Sequence, residues 1–128
     1  MSDKFTISKT IRGKPAGLPF EHMKNAVLGK NYELSLVFIG NKYSQTLNKK
    51  YRKKDKPTNI LTFLLSKTEG EIFISPEIAK RDAPKFNMEE REFIVYLFIH
   101  GLLHLKGFKH GEKMEKEEEK LKKKYIKI

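Results

Sequence analysis

The chain contains no cysteine, so disulfide bonds and thiolate metal ligands are both excluded. Any metal site must therefore be built from histidine, aspartate or glutamate side chains. No apolar run approaches the roughly 20 residues needed to cross a bilayer. The first fifteen residues, MSDKFTISKTIRGKP, also lack the apolar segment of a signal peptide. These absences predict a soluble, cytoplasmic protein with no membrane partner.

Internal repeats and low-complexity linkers are also absent, and a length of 128 residues is the commonest size of one domain. Hydrophobic residues make up 38% and aromatic residues 11% of the chain, which is enough to fill a core. We therefore expect a single domain over residues 1–128.

Acidic residues are outnumbered by basic ones, and the formal net charge is +11. This balance favours a polyanionic partner, most often a nucleic acid, although a lysine-rich surface without a partner is the alternative. Part of the charge is clustered, because residues 42–57 carry seven Lys or Arg and a single acid, Asp55. The candidate contacts to phosphate groups are the lysines around the middle of this segment: Lys49, Lys50, Lys53 and Lys54.

Apolar and alternating segments predict four strands, near residues 4–8, 32–40, 58–65 and 71–75. The second segment is apolar on both faces, so we expect it at the centre of the sheet. The last two are expected to pair antiparallel across a hairpin. Helices are predicted near residues 19–29, from an Asn41 cap to about Tyr51, from Pro76 behind a Ser75 cap, and near residues 87–105 and 112–125. The pattern indicates an α+β fold with about four strands in a mixed sheet and four to five helices.

The fourth of these helices is predicted to be buried, because FIVYLFI at residues 93–99 is apolar on all sides. The preceding NMEE resembles a capping box in which Asn87 is the cap and Glu90 reaches back. Gly107 is expected to end the helix. The last helix carries an apolar stripe of Met114, Leu121, Tyr125 and Ile128, and its run of charges is assigned to a solvated face.

Three of the four histidines lie in HGLLHLKGFKH, residues 100–110. A spacing of four places His100 and His104 on one face of a helix. Gly107 can take a left-handed conformation and turn the chain back, so that His110 could meet the other two. This spacing is that of the metzincin metal site, and three imidazoles with a water molecule make a catalytic zinc site with one open position.

The metzincin comparison stops at the metal, because those peptidases need a glutamate directly after the first histidine as general base. Position 101 is a glycine in this chain. The residues therefore predict a metal geometry without that peptidase chemistry. The remaining histidine, His22, has no comparable context and is assigned to the surface.

The histidine segment resembles the H-G-x-L-H-L-x-G-[YF]-x-H signature of the YbeY family, the rRNA-maturation endoribonucleases of bacteria. LNKKYRKKDKPTNILTF at residues 47–63 and GEIFIS at residues 70–75 are similar to two further blocks of that family, in the same order. The resemblance implies one YbeY-like metallohydrolase domain of α+β type, with the metal ligands on a buried central helix.

The resemblance further implies one Zn²⁺ per chain, held by His100, His104 and His110, and places Arg52 at the family's functional arginine. It implies a zinc-dependent, single-strand-specific endoribonuclease that acts in ribosomal RNA processing and ribosome quality control. The implied partners are ribosomal RNA, the small ribosomal subunit and ribosome-assembly proteins. Two positions depart from the family pattern, since Lys109 replaces a common Asp and Tyr96 replaces a common His.

Two other classes of function stay open at this point. The chain could be a non-catalytic rRNA-binding assembly factor with structural zinc, or a metallohydrolase of peptides or small molecules. An open fourth position on the zinc argues against the first class, and Gly101 argues against the second. The residues leave open the general base and the nucleophile, which is either water or the RNA 2′-hydroxyl.

Overall fold

The computed structural model describes residues 4–10 and 17–126. The elements, in chain order, are β1 (Phe5–Lys9), α1 (Phe20–Leu28), β2 (Glu33–Phe38), α2 (Asn41–Arg52), β3 (Ile60–Ser66), β4 (Glu69–Ile74), α3 (Pro76–Asp82), a 3₁₀ turn (Ala83–Phe86), α4 (Glu90–Lys106) and α5 (Glu112–Tyr125). Four strands and five α-helices over these residues confirm the predicted α+β class.

The strands form one mixed sheet in the order β1-β2-β4-β3. β2 pairs in parallel with both β1 and β4, which confirms its predicted central place. β3 runs antiparallel to β4 across a two-residue turn at Lys67 and Thr68, so the predicted hairpin is also confirmed. The hairpin leaves β3 at the edge of the sheet, where its first residues border the cleft described below.

α4 lies at the centre of the core, as its uniformly apolar sequence predicted. Phe93, Phe98 and Leu102 on this helix are all almost completely buried, and they pack in one cluster with Leu36 of β2. The opposite face of the sheet has a smaller cluster, in which Ile39 and Leu61 pack with Leu47 of α2. The central strand is therefore covered on both sides. No helix of the described residues is long and apolar enough to cross a membrane.

The predicted start of α4 is wrong by two residues. Asn87 is not its cap, because this residue has φ 56°, a left-handed conformation that ends the 3₁₀ turn. The capping box is formed instead by Glu89, the N-cap, and Glu92, whose carboxylate accepts a hydrogen bond of 2.9 Å from the Glu89 N–H. Glu90 is the first residue of the helix. Asn87 therefore ends the 3₁₀ turn that precedes α4. The local sequence pattern did not distinguish the end of this turn from the start of the helix.

The other predicted helix ends lie within a residue of those found. α2 begins at Asn41, with Gly40 rather than Asn41 as the N-cap. Ser75 caps α3 as predicted, since its Oγ accepts a hydrogen bond from the Ile78 N–H. Gly107 ends α4 with φ 109°, a left-handed conformation that glycine adopts without steric cost.

Candidate active site

The three predicted metal ligands converge at the C-terminal end of α4. One nitrogen from each of His100, His104 and His110 lies within 4.8 Å of the others. The Nε2 atoms of His100 and His104 are 3.1 Å apart. Two Zn–N bonds of about 2.0–2.1 Å at a tetrahedral angle would separate their nitrogens by about 3.3 Å. The spacing of the His100–His104 pair therefore fits a zinc ion, and His110 brings a third imidazole nitrogen, a ligand that zinc accepts, to within 4.8 Å.

His110 reaches the other two histidines because the chain reverses after α4. Gly107 takes the left-handed conformation that ends the helix, and the N–H groups of Gly107 and Phe108 bond back to the carbonyls of His104 and Leu103. The His110 ring is then 4.6 Å from that of His104 and 5.2 Å from that of His100, centre to centre. The turn at Gly107 therefore brings His110 next to the two histidines of α4.

His104 is suited to bind a metal at neutral pH. Burial of its ring, together with the nearby imidazoles of His100 and His110, lowers the pKa of His104 from its usual value. A neutral imidazole keeps the lone pair that a metal ion needs. The local electrostatics therefore favour the ligand form of this residue.

A carboxylate from α5 contacts the far side of the His100 ring. Oε2 of Glu118 lies 2.6 Å from Nδ1 of His100, and the Glu118 side chain is only 10% exposed. A carboxylate accepts a hydrogen bond from Nδ1–H, so the lone pair of the neutral ring stays on Nε2, the atom near His104. Glu118 thereby orients the ring and selects the nitrogen that can bind a metal.

The contact with Glu118 was not predicted, because the acidic run of α5 was assigned to a solvated face. That assignment is wrong for this one residue. Glu118 lies on the same helical stripe as Met114 and Leu121, and a single carboxylate on an apolar stripe was the signal that could have identified it. The predicted stripe otherwise holds for Met114, Leu121 and Tyr125, while Ile128 lies outside the described residues.

The two residues that depart from the family pattern, Tyr96 and Lys109, lie near the histidines. Among the described residues, neither of them forms a hydrogen bond with a histidine ring nitrogen. Tyr96 is half-buried one turn before His100, with 6.4 Å between the ring centres, and its ring faces the Lys122 ammonium at 5.3 Å. Burial, followed by the charges of nearby glutamates, raises the pKa of the Tyr96 hydroxyl. Lys109 is exposed.

Gly101 has no room for a side chain. A Cβ at this position would lie 2.9 Å from Cδ1 of Ile72 and 3.0 Å from Cγ2 of Thr62, both on the sheet. α4 therefore packs directly on β3 and β4 at this point, and a glutamate could not replace the glycine without moving them. The packing gives a physical reason for the absence of the metzincin base.

The histidines open into a cleft of about 530 Å³ between α2 and β3. Tyr51 and Arg52 at the end of α2, together with residues 58–63, form its other walls. The Arg52 side chain is exposed and, within the described part of the chain, makes no ion pair or hydrogen bond. The structure thus brings Arg52 and all three predicted ligands to one cleft.

Buried polar side chains fix the loop that joins Arg52 to the cleft wall. The Ser44 hydroxyl donates to the Thr58 carbonyl at 2.6 Å and accepts from the Thr58 N–H at 2.9 Å. The Asn48 side chain donates to the Lys56 carbonyl at 2.8 Å. These bonds hold residues 53–58 against α2. They therefore fix the position of Arg52 relative to the start of β3.

The four predicted RNA-binding lysines are exposed beside this cleft but do not line it with the histidines. Lys49 and Lys50 border a separate surface depression, where Lys49 is 3.8 Å from the carboxylate of Asp55. Lys53 takes a left-handed conformation at the end of α2, and Lys54 follows it. The fourth histidine, His22, is exposed and pairs with the Tyr125 hydroxyl at 2.7 Å, in agreement with its assignment to the surface.

Comparisons with known proteins agree on one family. The family model described as Endoribonuclease YbeY matches residues 12–128. The chain is 38% identical over 97 residues to Endoribonuclease YbeY of Francisella philomiragia, and 36% identical over 96 residues to that of Francisella tularensis subsp. tularensis. These matches cover 67% and 66% of this chain but only 61% and 59% of the relatives' lengths.

A solved structure has a similar fold over most of the chain. The solution structure of TM1509 from Thermotoga maritima superposes with a TM-score of 0.67 and 25% sequence identity. The superposition covers 91% of this chain and 85% of that protein. The arrangement of sheet and helices described above is therefore shared with a chain of low sequence identity.

Proposed function

The chain belongs to the YbeY family, and on this premise we propose that it is a zinc-dependent endoribonuclease that cleaves single-stranded RNA during ribosomal RNA processing. The observation that carries the proposal is the meeting of His100, His104, His110 and Arg52 in one cleft. Its Francisella relatives are named as endoribonucleases. The net charge of +11 suits a polyanionic substrate such as ribosomal RNA in the small subunit.

The three histidines would hold one Zn²⁺ through one nitrogen each, with Glu118 fixing the His100 ring from behind. A zinc ion in such a site lowers the pKa of bound water to about 7 and polarises phosphoryl oxygens. Glu118 would not be a fourth ligand, because it contacts the nitrogen of His100 that does not face His104. The three histidines would therefore leave one position on the zinc ion for water or substrate. The opening of the site into a cleft supports catalysis over a purely structural zinc.

Arg52 is the candidate group for binding the phosphate next to the cleaved bond. Its guanidinium has no partner of its own among the described residues and can offer two parallel donors to phosphate oxygens. The lysines of residues 49–54 would attract the RNA backbone without reading its sequence. In this arrangement the arginine positions one phosphate and the lysines hold the flanking strand.

Two rival functions remain distinguishable by experiment. A metallohydrolase of peptides is disfavoured because the sheet fills the space where its general base would stand at position 101. A non-catalytic assembly factor would bind ribosomal RNA equally well, but it would not need an arginine without a partner in the metal cleft. Both rivals share the fold and the metal site, so only activity separates them.

The test is a panel of substrates given to the purified full chain loaded with zinc. We expect cleavage of an unstructured ribosomal RNA fragment, slower cleavage of the same sequence in a duplex, and no cleavage of peptides. The matched control is the His110→Ala variant, purified and assayed in the same way. Cleavage of peptides but not RNA would support the peptidase rival, and tight RNA binding without cleavage would support the assembly factor.

A further inference from the structure

A second cavity, of about 360 Å³, adjoins the metal cleft and shares Tyr51 and Phe63 with it. Its remaining walls come from α2 and from the outer face of the β3–β4 hairpin: Tyr43, Leu47, Leu65, Glu71 and Phe73. We call it the aromatic cavity. Its position means that a ligand in the metal cleft and a ligand in the aromatic cavity would touch the same tyrosine.

Four aromatic rings form a row along this cavity. Tyr51 meets Phe63 edge-on with 5.0 Å between ring centres, Phe63 meets Phe73 at 5.6 Å, and Phe73 meets Tyr43 at 6.5 Å. The two tyrosines at the ends are exposed for 55% and 43% of their surface. Neither hydroxyl has a hydrogen bond to another described residue. Exposed aromatic side chains grouped in this way are typical of a binding surface.

Glu71 is the only charged residue that lines the aromatic cavity among the residues described. It is half-buried on β4, and within the described chain its carboxylate has no ion pair and no hydrogen bond, although basic residues are in large excess. A carboxylate in partly apolar surroundings gains most from a ligand that donates hydrogen bonds to it. The cavity therefore combines flat aromatic surfaces with one acceptor.

We propose that the aromatic cavity binds an unpaired nucleobase with an exocyclic amino group, from the nucleotide next to the phosphate in the metal cleft. This inference rests on the proposed function, because it takes RNA as the ligand. The base would stack on Tyr51, and Glu71 would accept the hydrogen bond from its amino group, as glutamate does with the amino group of cytosine. Uracil offers a carbonyl oxygen in place of that amino group, so it is the disfavoured base.

The surroundings of Tyr51 favour a nucleotide over an apolar peptide side chain. Arg52 follows it in the chain, and the Lys50 ammonium lies 5.2 Å from the centre of its ring. Bases stacked on aromatic rings beside a basic surface are the usual arrangement for single-stranded nucleic acids. Bases in a duplex are paired and stacked on each other, so they could not enter. The aromatic cavity would thus give the site its preference for single strands.

The experiment uses the absence of tryptophan from the chain. A Tyr51→Trp variant of the full chain, without metal, is titrated with oligoadenylate, oligocytidylate and oligouridylate of equal length. We expect its fluorescence to be quenched by all three, with tighter binding of the adenylate and the cytidylate. Tyr51→Ala, which lacks this reporter and is measured by the fluorescence anisotropy of labelled oligonucleotides, should weaken binding of both by about 5- to 150-fold, the usual effect of one lost stacking contact. Glu71→Gln should reduce their advantage over oligouridylate.

The matched control is Phe86→Ala, which removes another exposed aromatic ring, one that stacks on Phe93 and lines neither cavity. Its RNA affinity should equal that of the wild type. If the wild-type chain cleaves RNA but Tyr51→Ala binds every oligonucleotide as tightly as it does, the base site is overturned and the proposed function stands. If the wild-type chain neither binds nor cleaves RNA, both are overturned.

Discussion

Oε2 of Glu118 lies 2.6 Å from Nδ1 of His100, and this hydrogen bond joins α5 to the metal-binding end of α4. The two residues are eighteen positions apart in the chain, so only the packing of the two helices brings them together. The contact leaves Nε2 of His100 as the nitrogen that faces His104. Glu118 is therefore a positioning residue for the proposed zinc site.

Replacing Glu118 should weaken zinc binding. We expect Glu118→Leu to reduce the affinity for zinc by about 10- to 100-fold, because the His100 ring loses the partner that fixes its orientation and tautomer. Glu118→Gln should retain most of the affinity, since its amide oxygen can still accept the hydrogen bond. Competition with a zinc chelator measures both. Glu117→Leu, one residue earlier on the same helix, is the control, and an unchanged affinity of Glu118→Leu would refute the role.

Arg52→Ala should impair cleavage without changing the fold or the metal content. Loss of one donor group to a developing negative charge typically reduces kcat by about 100-fold or more. Arg52→Lys should recover only part of the activity, because an ammonium lacks the planar pair of donors. Metal analysis and circular dichroism check the fold and the zinc content. Arg91→Ala, which removes another exposed arginine, is the control; equal kcat values for the two alanine variants would reduce Arg52 to ordinary surface charge.

Reversing the charge of Lys49 and Lys50 should weaken binding to all single-stranded RNAs alike. Each phosphate contact contributes about −0.7 to the slope of log K against log salt, so the Lys→Glu double variant should also show a flatter slope. The matched control reverses Lys123 and Lys124 on α5, which changes the net charge equally. If both double variants lose the same affinity, net charge alone governs binding. Zinc content should stay constant in each.

Gly101→Ala should destabilise the protein, although alanine is the better helix former. The added methyl group would lie 2.9 Å from Ile72 and 3.0 Å from Thr62, and overpacking of this kind costs about 1–3 kcal/mol. Urea denaturation of the metal-free variant measures the change in the free energy of unfolding. A variant as stable as the wild type, or more stable, would mean that α4 has space above the sheet at this position.

The features that could be predicted from sequence are those set by short stretches of chain. The apolar run at residues 93–99 predicted the buried helix, and the spacing around Gly107 predicted three converging histidines. In both cases one helix or one turn determines the geometry. The predicted cap at Asn87 was wrong because an asparagine at this place can either end the 3₁₀ turn or begin α4. The local pattern does not distinguish these two roles.

The features that could not be predicted depend on how separate elements pack. Glu118 contacts His100 only because α5 lies against α4, and its neighbours in sequence are solvated glutamates. The aromatic cavity combines Tyr51 of α2 with Phe63 of β3 and Glu71 of β4. Each of these residues is unremarkable in its own segment. They form one site only because α2 packs against the face of the sheet that carries Phe63 and Glu71.

The measurement that tests the central claim most directly is a zinc titration of the metal-free protein, followed by cleavage of single-stranded RNA. We predict that activity rises in proportion to added zinc and reaches its plateau at one ion per chain. His104→Ala should bind little zinc and remain inactive over the same titration. Full activity in the metal-free protein, or a full zinc complement in His104→Ala, would contradict the assignment of His100, His104 and His110 as the ligands of a catalytic metal.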